Sequence, residues 1–263
     1  MHASLFDRYQ TGDSWLHRTD ARVKVLLALG TILSNALLPD GAWLAFGFTW
    51  LLLLAVCLSA RLSLRDLLAR SVLALPFALA AITVLFSLPG RALFTLDLGP
   101  FIVTATDAGA VRLVSILLRA WISVQAALLL VASVQFPDLM HALRHLRVPQ
   151  ILVAIISFTY RYLFVLSDEV LRMLRARAAR SACLPGQRGG GSLWWRARTA
   201  GNMAGQLFLR TYERSERVYQ AMLARGYRGE LFTLRTHTLT RRDLWLLTSG
   251  GTLLTLLQIF ARA

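Results

Sequence analysis

Two arginines with small neighbours are the side chains of this sequence best suited to bind a specific partner. A guanidinium group is planar, permanently charged and rich in donors, so it pairs well with carboxylates and carbonyl oxygens. Small neighbours let a partner's backbone approach closely, and an arginine buried in this way requires an acidic partner. The candidate docking triplets are Ala179-Arg180-Ser181 and Ala224-Arg225-Gly226.

A simpler interpretation of the same arginines stays open at this point. The segment from Asp168 to Asp243 holds 15 arginines and six acidic residues, a net charge of +9. Arginines on the cytoplasmic side of a membrane are commonly solvated among lipid headgroups and need no protein partner.

Residue patterns for catalysis or for a metal site are missing from the sequence. A phosphate-binding loop needs a lysine, and Lys24, the only lysine, lies at the start of an apolar segment. His141 and His145 are four residues apart, but no glutamate stands between them as in a zinc protease and neither cysteine is near. We therefore predict no catalytic residues, no metal ligands, no enzymatic activity and no cofactor bound by this chain.

Two long amphipathic helices are predicted to carry the docking triplets at their ends. The first covers residues 150 to about 182, with an apolar first half and an arginine-rich second half, and the second covers 193 to 225. Gly226 is a typical helix stop. The connection between the helices is predicted to be a flexible hinge, because it contains Gly186, Gly189, Gly190 and Gly191.

The second predicted helix has an apolar stripe along one side. Its members recur at helical spacing, whereas charged residues such as Glu213 and Arg217 occupy the other side. Together with the apolar half of the first helix, this stripe is a candidate surface for gripping another membrane subunit. It consists of Leu207, Phe208, Thr211, Tyr212, Ser215, Val218, Tyr219 and Met222.

Composition places the chain in a membrane. Its 263 residues are 56% hydrophobic and 16% charged, with a mean hydropathy of +0.54, which excludes an ordinary soluble domain. We predict an all-α polytopic membrane protein of about five transmembrane helices plus the two amphipathic helices. The predicted spans are 23–38, 42–60, 67–88, 111–134 and 244–261. Residues 89–107 resemble a short hairpin.

Charge counting predicts the orientation and the domains. Connections rich in arginine stay in the cytoplasm, which predicts that the N-terminus and the 135–243 segment lie on the cytoplasmic side of the membrane. We expect this membrane to be the bacterial cytoplasmic membrane. A full crossing at 151–166 would carry the 15 arginines outside, so we predict an interfacial helix there, with a sixth span as the alternative. The domains are then a four-span part, 1–134, a coupling part, 135–243, and a final span, 244–263.

The net charge of +15 raises nucleic acid as a partner. The positive residues follow one side of the membrane, however, and no nucleic-acid recognition fold is visible. We therefore expect anionic lipid, and not nucleic acid, to be the partner of this charge.

Two sequence runs resemble a known family. They are Ser157-Phe158-Thr159-Tyr160-Arg161-Tyr162 and Ala221-Met222-Leu223-Ala224-Arg225-Gly226-Tyr227. With Asp168-Glu169 and Arg172-Met173 between them, they resemble the transmembrane (T) component of energy-coupling-factor (ECF) transporters, in the cobalt-transport CbiQ branch.

This resemblance implies a membrane subunit without catalytic activity. Two cytoplasmic ATPase subunits would hold ATP and Mg²⁺, a separate membrane subunit (S) would capture the substrate, and the substrate would be Co²⁺ or Ni²⁺. In the family, alanine-arginine-glycine triplets at the ends of two coupling helices dock on the ATPases. Arg225 matches this pattern fully, whereas Ser181 replaces the glycine after Arg180, and Arg177 is a rival for Arg180.

Two other classes of function remain open from the sequence. One is a secondary transporter that moves its substrate without partners. The other is a membrane-anchored interaction protein whose basic domain binds lipid.

Overall fold

The structure is a computed structural model. It describes residues 12, 14–72, 81–86, 89, 91–97, 102–181, 192–229 and 239–262. Within these residues there are nine bounded helices and one pair of strands. They are α1 (Trp15–Arg18), α2 (Ala21–Ala36), α3 (Trp43–Ser59), α4 (Leu64–Ser71), β1 (Ala92–Asp97), β2 (Ile102–Thr106), α5 (Asp107–Ser133), α6 (Phe136–His145), α7 (Gln150–Arg180), α8 (Leu193–Ala224) and α9 (Arg241–Arg262).

These elements form two compact units. The membrane unit contains α1 to α6, the strand pair and α9, and the arm unit contains α7 and α8. Helix α6 belongs to the membrane unit because Ala142, which is fully buried, packs with Ala21, Val25 and Val134. The boundary between the units therefore falls at residue 147, whereas the predicted coupling part begins at 135.

Close helix contacts in the membrane unit depend on glycine. A Cβ on Gly250 of α9 would lie 2.5 Å from Cδ2 of Leu27 on α2, and one on Gly30 would lie 3.4 Å from Cδ1 of Leu254. Small residues let transmembrane helices approach each other and gain van der Waals contact, which is a main source of stability in lipid. Helices α2 and α9 thus pack directly against each other.

Helix α5 packs against α3 in the centre of the membrane unit. Its side chains Ile122 and Ala126 are almost completely buried and lie in one apolar cluster with Phe46, Leu53 and Cys57 of α3. The indole rings of Trp50 and Trp121 are stacked, with their centroids 5.8 Å apart. This cluster is the core of the unit.

Polar side chains fasten both ends of the membrane unit. At one end, Arg119 of α5 donates a hydrogen bond of 2.8 Å to Asp40, which follows the end of α2 in the chain. At the other end, Lys24 donates to the backbone oxygen of Ser133 at 3.0 Å, and the backbone N–H of Asp20 donates to Asp243 at 3.2 Å. The starts of α2 and α9 and the end of α5 therefore lie at the same end of the unit.

The predicted all-α polytopic membrane fold is confirmed. The short hairpin predicted at residues 89–107 is found as the antiparallel pair β1 and β2. Among the described residues, three helices are long and apolar enough to cross a membrane, namely α5, α7 and α9, and α3 is a shorter apolar helix. The 16 residues of α2 cover most of the predicted span 23–38, and part of the predicted span 67–88 lies outside the described residues.

Candidate functional site

The two arm helices are joined by an ion pair. Glu169 of α7 accepts a hydrogen bond from Arg210 of α8 at 2.9 Å and another from Arg172, one turn further along α7. The guanidinium of Arg177 lies over the ring of Trp195, 6.0 Å from its centroid. From the first of these contacts to the second, the residue number rises from 169 to 177 on α7 and falls from 210 to 195 on α8. The two helices therefore run antiparallel.

The end of α8 is closed by a backbone motif that requires glycine. Gly226 has φ +81°, the left-handed conformation that other residues rarely adopt. The N–H of Gly226 donates to the oxygen of Leu223 at 2.9 Å, and that of Tyr227 donates to the oxygen of Met222 at 3.0 Å. This is a Schellman motif, and it fixes the direction in which Arg225 leaves the helix.

The end of α7 is closed in a different way. The hydroxyl of Ser181 donates to the oxygen of Arg177 at 2.9 Å, and its backbone N–H donates to the same oxygen at 3.0 Å. Its φ of −105° needs no glycine. The hydroxyl of Ser181 also lies 3.3 Å from the oxygen of Ala178, so a serine side chain closes the last turn of α7 without the left-handed glycine found after α8.

Both arginines of the predicted triplets are exposed. No heavy atom lies within 4 Å of a Cβ built on Gly226, so a partner has room beside Arg225. Arg180 is exposed, whereas its rival Arg177 is half-buried against Trp195. Within the part of the chain that the structure describes, Arg180 forms no ion pair. The geometry thus favours Arg180 over Arg177 as the group available to a partner.

Two grooves open between the arm helices, one on each side of the Glu169 to Arg210 contact. The apolar groove has a volume of about 750 Å³ and joins the first half of α7 to the second half of α8. Phe158 and Tyr162 line it from α7, and Tyr212 and Tyr219 line it from α8. All the predicted stripe residues except Leu207 line this groove, so the two predicted apolar surfaces come together.

The basic groove lies on the other side of the contact and has a volume of about 870 Å³. Its lining includes one carboxylate, Glu169, and five arginines. These arginines are Arg172, Arg177, Arg180, Arg210 and Arg214.

Sequence reasoning found the arm ends but missed this groove. The predicted hinge glycines at 186, 189, 190 and 191 lie outside the described residues. The role of Glu169 was not predicted either. Its only signal in the sequence was its position in the acidic pair Asp168-Glu169, at the start of the arginine-rich half of the helix.

A family comparison now identifies the chain. Residues 12–238 match the model of the CbiQ family, described as cobalt transport protein. The chain belongs to the CbiQ family. The resemblance expected from the two sequence runs is therefore confirmed, and the protein is a multi-pass membrane component of a transporter.

Curated relatives agree with this assignment. A cobalt transport protein CbiQ of Rhodobacter capsulatus is 29% identical over 90% of this chain and 89% of its own length. An energy-coupling factor transporter transmembrane protein EcfT of Brevibacillus brevis is 29% identical over 89% of this chain and 88% of its own. An uncharacterized protein of Methanocaldococcus jannaschii is 28% identical over 98% of this chain and 86% of its own.

Proposed function

We propose that this protein is the T component of an ECF-type importer for a transition-metal ion. In this role it has no catalytic activity of its own and passes the movement of two cytoplasmic ATPase subunits to a separate S subunit. The ATPases hold ATP and Mg²⁺, and the imported ion is Co²⁺, with Ni²⁺ as the alternative.

The observation that carries the proposal is the placement of two exposed arginines at opposite ends of the antiparallel pair α7 and α8. Arg180 lies 11 residues beyond Glu169, and Arg225 lies 15 residues beyond Arg210. At 1.5 Å per residue these lengths correspond to about 16 Å and about 22 Å on opposite sides of the contact. Arms of this length present two separate docking points, which suits two ATPase subunits better than one small ligand.

The topology of the membrane unit supports a cytoplasmic position for the arms. The end of α5 and the start of α9 lie at the same end of that unit, next to Ser133 and Asp243. The chain between them therefore crosses the membrane an even number of times. Among the described residues of this stretch, α7 is long and apolar enough to cross, but α8 is not a candidate span, so the described helices offer no second crossing. The tendency of arginine-rich connections to stay in the cytoplasm supports a cytoplasmic position for this side and for the N-terminus.

The apolar groove is the proposed contact surface for the S subunit. Tyr212 and Phe208 are exposed by 61% and 67%, although both are large and face a concave apolar surface. Large apolar patches exposed in this way commonly mark a protein interface. A subunit held in this groove would be moved when the ATPases change the angle between the arms.

Charge reversal at the arm ends tests the docking role. The full chain is co-expressed with its ATPase and S subunits, and the amount of ATPase that co-purifies with it is measured. Arg225→Glu and Arg180→Glu place a carboxylate against an acidic partner, so we expect each to reduce the retained ATPase at least tenfold. Arg217→Glu is the matched control, because Arg217 is 71% exposed on α8 and lies away from both ends.

Equal losses in all three variants would contradict the docking role and favour a basic domain held by lipid. Uptake of Co²⁺ by vesicles that contain this chain alone and no ATP would contradict the whole proposal, since it is the behaviour of a secondary transporter.

A further inference from the structure

The basic groove holds more positive charge than the arm unit neutralises. Arg172 and Arg210 both bind its single carboxylate, Glu169, and Arg177 lies over Trp195. Among the described residues, neither Arg180 nor Arg214 has an ion-pair partner. Like charges that line one concave surface repel each other, and this repulsion grows where water is partly excluded. The groove is therefore electrostatically incomplete without an anion.

The chain next to the groove does not supply that anion. Residues 182–191, which connect α7 to α8, contain one arginine and no aspartate or glutamate. The first two turns of α8 contain two further arginines, Arg196 and Arg198, and no acidic residue. Among the described residues, Glu169 is the only acidic residue that lines the groove, so an anion from another molecule would complete it.

The start of α8 indicates the environment of the groove. Leu193, Trp194 and Trp195 are exposed by 83%, 80% and 45%, and Trp195 also lines the groove. Exposed tryptophans followed by arginines are typical of segments at the boundary between lipid tails and headgroups. The anions present at that depth are phosphate groups of phospholipids.

We propose that the basic groove binds the phosphate groups of an anionic phospholipid. Arg177 and Arg214 pair with phosphate oxygens while Arg180, at the end of α7, stays available to the ATPase, and Thr199, Asn202 and Gln206 offer further hydrogen-bond donors. The groove has several arginines for one carboxylate, and its volume of about 870 Å³ leaves room for two phosphates, so cardiolipin, which carries two, is the proposed lipid. An acidic peptide would satisfy the same charge, but it would leave the exposed Trp194 and Trp195 at the start of α8 without a role.

Native mass spectrometry of the full chain in detergent tests this assignment. Cardiolipin, phosphatidylglycerol, phosphatidylcholine and inorganic pyrophosphate are titrated separately. The test variant is Arg177→Gln with Arg214→Gln, which removes two groove charges. The control is Arg175→Gln with Arg217→Gln, which removes two charges from the same helices at positions that do not line the groove.

We expect the unchanged chain and the control to bind cardiolipin most tightly and phosphatidylcholine most weakly. The test variant should lose about 25-fold in cardiolipin affinity, about fivefold for each arginine removed. Equal losses in test and control variants, or equal binding of phosphatidylcholine, would overturn the proposal. Pyrophosphate binding as tight as that of cardiolipin would identify a soluble phosphate as the ligand and overturn it too.

A parallel pull-down of the ATPases separates this proposal from the docking role. If the test variant keeps cardiolipin but loses the ATPases, the groove binds the ATPases and the lipid proposal fails. If Arg225→Glu loses the ATPases while cardiolipin binding is unchanged, both proposals hold.

Discussion

The membrane unit and the arm unit differ most in how much they bury. Seven of the 16 residues of α2 are buried, including the polar residues Lys24 and Asn35. Helix α7 has 31 residues and buries two of them, Val153 and Ala154, whereas none of the 32 residues of α8 is buried. Helices in water gain most of their stability from packing against other elements. Helix α2 is therefore held by packing within its own unit, whereas the arm helices leave most of their surface open to other molecules, as α9 does with two buried residues of 22.

The two grooves of the arm unit show a second contrast. The apolar groove has Arg214 as its only charged lining residue, and the basic groove has Glu169 and five arginines. Both lie between the same two helices and have similar volumes. Their different chemistry indicates different occupants, in line with the proposal that the S subunit binds the apolar groove and an anionic lipid the basic one.

The largest expected effect is on association at the apolar groove. Tyr212→Asp places a carboxylate in the middle of its lining, where a bound S subunit would exclude water. A buried charge without a partner is costly, so we expect the affinity for the S subunit to fall by about 100-fold or more. The measurement is retention of the S subunit by the purified complex.

Gln220→Asp is the matched control for this variant, because Gln220 lies on the same helix, is exposed, and does not line the groove. Since Tyr212 is 61% exposed, its replacement should leave the thermal stability of the chain alone almost unchanged. A comparable loss of the S subunit in both variants would remove the apolar groove as the contact surface.

A smaller effect, on stability instead of association, is expected in the membrane unit. Gly250→Val places a Cβ 2.5 Å from Cδ2 of Leu27, so Leu27 must leave its rotamer or α2 and α9 must move apart. Overpacking of this kind costs about 1–3 kcal/mol. We expect a lower unfolding temperature in detergent.

Gly251→Val carries the same chemical change on the next residue, where nothing lies within 4 Å. It should unfold close to the temperature of the unchanged chain. Equal destabilisation by the two variants would mean that helix propensity, and not close packing, is the reason for glycine at 250.

The ends of the arm helices were predictable because local signals determine them. The second arm was predicted over 193 to 225 and is found as Leu193–Ala224, and the first was predicted over 150 to about 182 and is found as Gln150–Arg180. Gly226 explains this success, since the left-handed turn after α8 depends on one residue type at one position.

Features that depend on distant residues were not predictable in the same way. The ion pair between Glu169 and Arg210 joins residues 41 positions apart, and nothing in a helical pattern selects Arg210 from the other arginines of α8. The same holds for Gly250, whose contact with Leu27 depends on how α9 packs against α2. The same holds for α6, which was predicted as part of the coupling part. It packs with the membrane unit, because its small residue Ala142 fits against α2.

The smallest expected effect is at the contact between the arms. Glu169→Gln removes the charge that binds Arg172 and Arg210, whose side chains are 60% and 62% exposed. Exposed ion pairs contribute about 0–1 kcal/mol, so the arms should stay folded. The pair of Glu169 with Arg210 is the only ion pair between the two arms among the described residues, however, and its loss should let the angle between them vary more widely. Spin labels at Leu174 and Ala200 report this as a broader distance distribution, with ATP-driven uptake reduced about two- to fivefold.

Glu213→Gln removes the pair with Arg217 within α8 alone, and it should change neither measurement. An unchanged distance distribution in Glu169→Gln would show that packing between the arms, and not this carboxylate, sets their angle.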